Sequence, residues 1–147
     1  MHLSETGLTL LKRSEGFRGS VYRDIAGFRT IGYGHRLLPG EVFANGITFA
    51  IGEELVAKDV LIAEANVNRL VKVELTQGQF DALVDFVFNL GSGRLATSTL
   101  LAELNAGRYE AAAQQLLAWD HAGNVEVAAL RIRRHAEFEL FNQEEAA

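Results

Sequence analysis

Cysteine is absent from the 147 residues, and proline, methionine and tryptophan occur once each. Without thiols there is no disulfide framework, no thiolate metal site and no cysteine nucleophile. No stretch approaches the ~18 consecutive apolar residues of a membrane span. The amino terminus, Met1-His2-Leu3-Ser4-Glu5-Thr6 with Lys12-Arg13 soon after, lacks the apolar region and cleavage site of an export signal. The histidines, His2, His35, His121 and His135, have no metal-ligand spacing, so no metal is expected. A Gly-x-Ser-x-Gly elbow is missing. Gly32-Tyr33-Gly34 fails as a nucleotide loop because Leu37 stands where the last glycine belongs.

What is present is the composition of a folded domain, 48% hydrophobic and 22% charged. A chain of this size buries roughly 70% of its unfolded surface, enough for a core without covalent staples. The net charge of -5 is uneven: residues 1–36 carry six basic groups against three acidic ones, and the remainder carries -8. An acidic whole argues against nucleic acid as a partner, since such binding feeds on phosphate neutralisation. The basic excess near the amino terminus either attracts an anionic substrate or consists of solvated arginines.

Glycine divides the chain. Seven of the 14 glycines, and Pro39, fall between Gly16 and Gly46, which predicts turns and hairpins there. A first helix over about residues 4–14 opens with Ser4 as N-cap and stops at Gly16. Residues 21–24 and 29–33 read as an antiparallel hairpin, and Asn45-Gly46 introduces a third short strand at Ile47-Thr48. An amphipathic helix follows over about 53–70. Thr76 caps the next helix, apolar nearly all round from Phe80 to Leu90 and ended by Gly91. Helices over about 97–105, 108–119 and 126–141 complete an α+β, mainly helical chain. The expected organisation is one domain over residues 1–147: a β-rich lobe at about 15–50, a connecting helix at about 53–70, and a helical lobe at about 75–147 that includes the first helix. A cleft between the lobes is the expected ligand site.

Glu15 ends a helix, Asp24 ends a strand, and Thr30 lies on the returning strand. The hairpin lets Asp24 and Thr30 face one space, with Glu15 opposite. Two carboxylates across a gap suit glycosidic cleavage: one protonated to donate to the leaving oxygen, the other ionised to order a water or stabilise the oxocarbenium-like transition state. A threonine hydroxyl both donates and accepts, so it can hold that water. Spacing alone is weak, because capping and surface carboxylates at such separations are common.

The motifs are more specific. Glu15-Gly16-Phe17-Arg18, Tyr22-Arg23-Asp24, Gly27 and Thr30-Ile31-Gly32-Tyr33-Gly34-His35 resemble the signature of the phage-type lysozymes. The resemblance continues through residues 75–83, Phe88-Asn89-Leu90-Gly91, residues 98–101, Ala129-Leu130, Arg133-Arg134 and Glu137. It implies a lysozyme-like fold and hydrolysis of the β-1,4 bond between N-acetylmuramic acid and N-acetylglucosamine, with no cofactor. Glu15 matches the general acid, Asp24 its paired carboxylate, and Thr30 the hydroxyl that positions water, with inversion at the anomeric carbon expected. His35 matches a histidine close to the cleft, with a structural histidine–carboxylate pair as the alternative. Phe88 and Thr99 match positions that contact sugar, though core packing explains Phe88 equally well. Arg133 or Arg134 matches an arginine that pairs with the acid, the alternative being helix-surface charge. Residues 36–45, with Leu37-Leu38-Pro39-Gly40, depart from the family's shorter loops, and Ala129 and Ile132 replace a common glycine and a frequent arginine. Trp119 is expected in packing rather than on a sugar.

The resemblance further implies a monomeric phage or prophage endolysin with bacterial peptidoglycan as partner and no membrane anchor. It would be made in the host cytoplasm and released to the wall by a holin. The rival readings are a lytic transglycosylase, which needs the acid but no positioned water, and a non-catalytic glycan-binding or virion module.

Overall fold

The structure, a computed structural model, describes residues 1–145. In chain order the elements are α1 (Glu5–Glu15), β1 (Arg18–Arg23), β2 (Arg29–Gly32), β3 (His35–Arg36), α2 (Phe49–Leu70), α3 (Gln77–Leu90), α4 (Ser92–Ala96), α5 (Thr99–Asn105), α6 (Tyr109–Leu116), β4 (His121–Ala122), β5 (Val125–Glu126) and α7 (Ala128–Phe141). The class is α+β and mainly helical. Two compact units emerge, Leu11–Ile62 and Met1–Leu10 with the chain from Ala63 on. The first helix and the long α2 are thus each divided between units.

In the unit Leu11–Ile62, three antiparallel strands form a sheet in the order β1-β2-β3. The third strand is His35–Arg36, not Ile47-Thr48. The backbone N–H of Ile47 bonds to the Gly19 carbonyl at 2.8 Å, but Thr48 turns to helix instead. Its Oγ1 accepts from the Ile51 N–H at 3.2 Å, so α2 starts at Phe49, four residues earlier than its apolar stripe suggests. Phe17, Tyr33 and Phe49 form an aromatic cluster with ring centroids 5.2–6.1 Å apart. Tyr33 donates to Glu53, which also pairs with Lys12. These contacts fasten the end of α1 to the hairpin and to the start of α2.

The long segment after β3 is held by His35, which is buried. Its Nδ1 lies 2.7 Å from Asp59 on α2 and its Nε2 2.8 Å from Glu41. Glu41 in turn accepts the Leu38 N–H at 2.6 Å. Burial works against the imidazolium, but the hydrogen bonds to Glu41 and Asp59 outweigh it, and the histidine pKa rises. Glu41 is lowered, first by the Leu38 N–H and then by His35, while burial lifts Asp59 against the pull of the histidine.

The other unit is built on α3, whose residues Phe80 to Val87 are all buried. Thr76 caps it in a reciprocal capping box with Gln79, and the Gly91 N–H bonds the Val87 carbonyl. Its apolar side chains join Ala63, Val67, Leu95, Leu100, Leu104, Leu116 and Phe141 in one core. Helices α4 and α7 pack on α3, and α5 on α6. Trp119 meets Phe86 edge-on at 5.5 Å, in packing as expected. The short α4 and the β4–β5 hairpin before α7 carry too few residues for a readable period.

Two buried residues of α3 are aspartates. Asp81 accepts from the Ser4 backbone and hydroxyl and from Gln77. Ser4 itself accepts the Gly7 N–H, as an N-cap does. Asp85 holds Arg133 of α7 in a bidentate pair, both contacts at 2.9 Å. Arg134 pairs with Glu137 and donates to Asn89. Both arginines are buried, so neither is helix-surface charge. Burial pushes the Glu137 carboxyl well up, and the adjoining Asp85 charge adds to this. Asp85 is held down despite burial by Arg133 and its neighbours.

Three stability predictions arise here. The raised His35 pKa means the folded state holds its proton more tightly than the unfolded chain, whose value is about 6.5. That stabilisation is complete below the unfolded value and fades as pH climbs through the folded one, provided the carboxylates remain ionised. The stability gap between wild type and His35→Gln in denaturant titrations is therefore about 1–3 kcal/mol near pH 5.5 and shrinks toward pH 8. For Glu137, a raised carboxyl pKa gives the opposite burden: wild type loses stability as pH rises above the unfolded carboxyl value. Glu137→Gln melts within about 1 kcal/mol of wild type at pH 5 and gains on it with increasing pH. Asp85→Ala, which removes the bidentate partner of buried Arg133, is destabilised by about 3–5 kcal/mol.

Candidate active site

Glu15 is the last residue of α1, followed by Gly16 at φ +68°, whose N–H closes on the Lys12 carbonyl at 2.8 Å. The left-handed glycine stops the helix and leaves the carboxylate half-buried at its end. Gly34, also at positive φ, packs directly against it, and a Cβ there would stand 2.9 Å from Glu15 Cδ. Only a glycine leaves room for the carboxylate in this position.

Asp24 sits at the hairpin turn and shapes it. Its Oδ1 accepts the backbone N–H groups of Ala26 at 3.0 Å and Phe28 at 2.9 Å. Its Oδ2 accepts Arg36 Nε at 3.1 Å. The backbone adds Asp24 N–H to the Phe28 carbonyl and Gly27 N–H to the Asp24 carbonyl, both at 2.9 Å. An aspartate is well suited to this because its short side chain reaches N–H groups a few residues on. Three donors fill three of about four acceptor sites, leaving one on Oδ2.

Thr30 lies opposite Tyr22 on β1 and Arg36 on β3. Directly opposed residues share a face of a sheet, so Tyr22, Thr30 and Arg36 belong to one face, and Arg36 reaches from it to Asp24 at the turn. The pairing of β1 with β2 shifts register between Arg18 and Tyr22, a bulge that turns the strand end. Thr30 is buried, and its Oγ1 donates to the Phe28 carbonyl at 2.8 Å. The hydroxyl hydrogen is thereby committed, and its lone pairs remain to accept.

Tyr22 joins this group. Burial raises its phenol pKa, and the negative charges of Glu15 and Asp24 both press in the same direction, with Arg18 opposing. Arg18 stacks over its ring at 4.3 Å. The signal for Tyr22 was its place two residues before Asp24 in the same motif.

Glu15, Asp24, Thr30 and His35 all lie in the unit Leu11–Ile62. His35 has both ring nitrogens engaged by carboxylates. Phe88, Thr99 and Arg133 belong to the other unit: Phe88 is half-buried against its core, Thr99 is exposed at the start of α5, and Arg133 holds Asp85.

Over 147 aligned residues the chain is 41% identical to the endolysin of Acyrthosiphon pisum secondary endosymbiont phage 1, covering 96% of this chain and 98% of that one. It is 40% identical over 144 residues to the endolysin of Salmonella phage P22, with the same two coverages. Among solved structures, the muramidase domain of SpmX from Asticaccaulis excentricus superposes with a TM-score of 0.87 at 36% identity, over 98% of this chain and all of that one. The family model described as phage lysozyme matches residues 12–137, and the chain belongs to that family.

Proposed function

We infer that the protein is a peptidoglycan hydrolase, a muramidase cleaving the β-1,4 bond between N-acetylmuramic acid and N-acetylglucosamine in the bacterial wall. What supports the reading is that Glu15, Asp24 and Thr30 lie in one unit, with the charges of Glu15 and Asp24 both acting on Tyr22, the residue directly opposite Thr30. Glu15, in its acid form, gives its proton to the glycosidic oxygen as the bond breaks. A water donates one hydrogen to the free lone pair of Asp24 Oδ2 and the other to Thr30 Oγ1, which is left as an acceptor by its bond to Phe28. The water's own lone pair then attacks the anomeric carbon as the bond to the leaving oxygen breaks, its proton passes to Asp24, and a single displacement inverts the centre. The alternative, a transglycosylase, would leave the acceptor arrangement at Thr30 and Asp24 without a purpose. Among the described residues no helix is long and apolar enough to cross a membrane. Synthesis in the host cytoplasm, action as a monomer and release to the wall by a separate holin belong to the same proposal.

Glu15→Gln removes the proton donor without changing shape, and it lowers turnover on purified peptidoglycan by about 10²–10⁴-fold or more. Wild-type products carry reducing ends of inverted anomeric configuration, read by mass spectrometry and early-time proton NMR. A majority of 1,6-anhydro ends would refute hydrolysis. Gly34→Ala displaces the Glu15 carboxylate and loses at least tenfold in kcat, with a stability loss of about 1 kcal/mol or more from strain at positive φ.

A further inference from the structure

Beside Asp24 the same unit has a groove of about 430 Å³, lined by Arg23, Phe28, Arg29, Arg36, Leu38 and Glu41 among others. That volume is the size of a small-ligand site. Its charges are unbalanced. Glu41 is the only acid in the lining, and its Oε1 is already taken by the Leu38 N–H and by His35. Arg23 gives one N–H to the Gly27 carbonyl, and Arg36 lies 4.1 Å over the Phe28 ring while holding Asp24 through Nε. Both guanidinium groups are thereby fixed in place with donors still unassigned.

The pairing register adds an independent observation. Arg23 and Arg29 are directly opposed across β1 and β2. Like charges in that position oppose strand pairing, and only the Arg23 contact to the Gly27 carbonyl is set against the repulsion among the side-chain hydrogen bonds of the described residues. An anion between or above them would relieve it. Phe28 and Leu38, 53% and 61% exposed, give the groove apolar edges that a bare ion does not need but an organic acid does.

We propose that this groove binds a free carboxylate of the peptide stems of peptidoglycan, so that the enzyme reads the acidic substituents of the glycan next to the bond it cuts. The proposal rests on the muramidase reading and names a feature of its substrate. Sugar hydroxyls are neutral and do not account for three guanidinium groups. The stems carry carboxylates, and an arginine offers a planar fork that matches them. Arg36 and the Phe28 N–H contact Asp24 directly, so an occupant of the groove lies one side chain from that carboxylate.

The test uses soluble, phosphate-free peptidoglycan fragments in two forms, native and with stem carboxylates converted to amides by carbodiimide and ammonia. Binding is measured by calorimetry on Glu15→Gln protein, alone and combined with Arg29→Gln or Arg29→Lys. Native fragments are expected to bind about threefold to tenfold more tightly than amidated ones at low salt. Arg29→Gln abolishes most of that preference, Arg29→Lys restores part of it, and added salt erodes it. In the protein with Glu15 intact, Arg29→Gln raises KM on native fragments with kcat unchanged. An equal preference for native fragments with and without the Arg29 charge, or no preference in the parent protein, would overturn the proposal. Failure of the muramidase reading is seen separately, as no cleavage of either fragment by protein with Glu15 intact.

Discussion

Asp24 accepts hydrogen bonds that only a closed turn can supply, from the N–H groups of Ala26 and Phe28, and a third from Arg36 on β3. Without that carboxylate the two backbone donors would turn to water and the strands would lose their point of closure. The turn then fixes Phe28, whose carbonyl takes the Thr30 hydroxyl hydrogen. A single side chain therefore shapes the hairpin and sets the polarity of the threonine. Replacing Asp24 disturbs geometry and chemistry together. Glu15 and Gly34 are cleaner places to separate them.

In the helical unit the comparable constraint is buried carboxylates held by hydrogen bonds or an ion pair under an apolar cover. Asp81 ties the amino-terminal segment to α3, and Asp85 ties α7 to it through Arg133. Removing both partners of such a pair can be neutral, whereas removing one leaves an unpaired buried charge. The Arg133 fork accepts only one orientation of the Asp85 carboxylate.

Much of this was legible in the sequence, for identifiable reasons. Thr76 with Gln79, Gly91 and Ser4 are local signals, read within a single turn of chain, and they stand where the pattern places them. Helix α3 shows its burial through a run that is apolar nearly all round. The aspartates inside that run were not interpreted, because their partners lie in distant sequence, and so Arg133 and Arg134 were weighed only as surface charge or partners of Glu15. The start of α2 was missed for a similar reason: exposed Phe49, Ala50 and Ile51 break the stripe, and only the Thr48 hydroxyl reveals the cap. His35 was legible as a candidate for carboxylate pairing, but nothing local could choose Glu41 and Asp59. Tyr22 was quoted within a motif yet overlooked as part of the site, although it stands two residues before Asp24 in that motif.

Departures from local preference are not scattered through the molecule. The helical unit buries charges but holds them by hydrogen bonds or ion pairs, which compensates the cost. In the hairpin unit several departures stand uncompensated within a few residues: Arg23 opposed to Arg29, a register shift in β1, Phe28 and Leu38 held in solvent, and Gly34 kept bare against a carboxylate. A sequence selected only for folding would relieve at least the like-charge pair, since one substitution on an exposed strand end suffices. Such violations persist where something other than folding is being served. Glu15, Asp24, Thr30 and the arginine groove lie in that same unit, and a polymer carrying both neutral sugars and acidic side branches is a ligand suited to all of them.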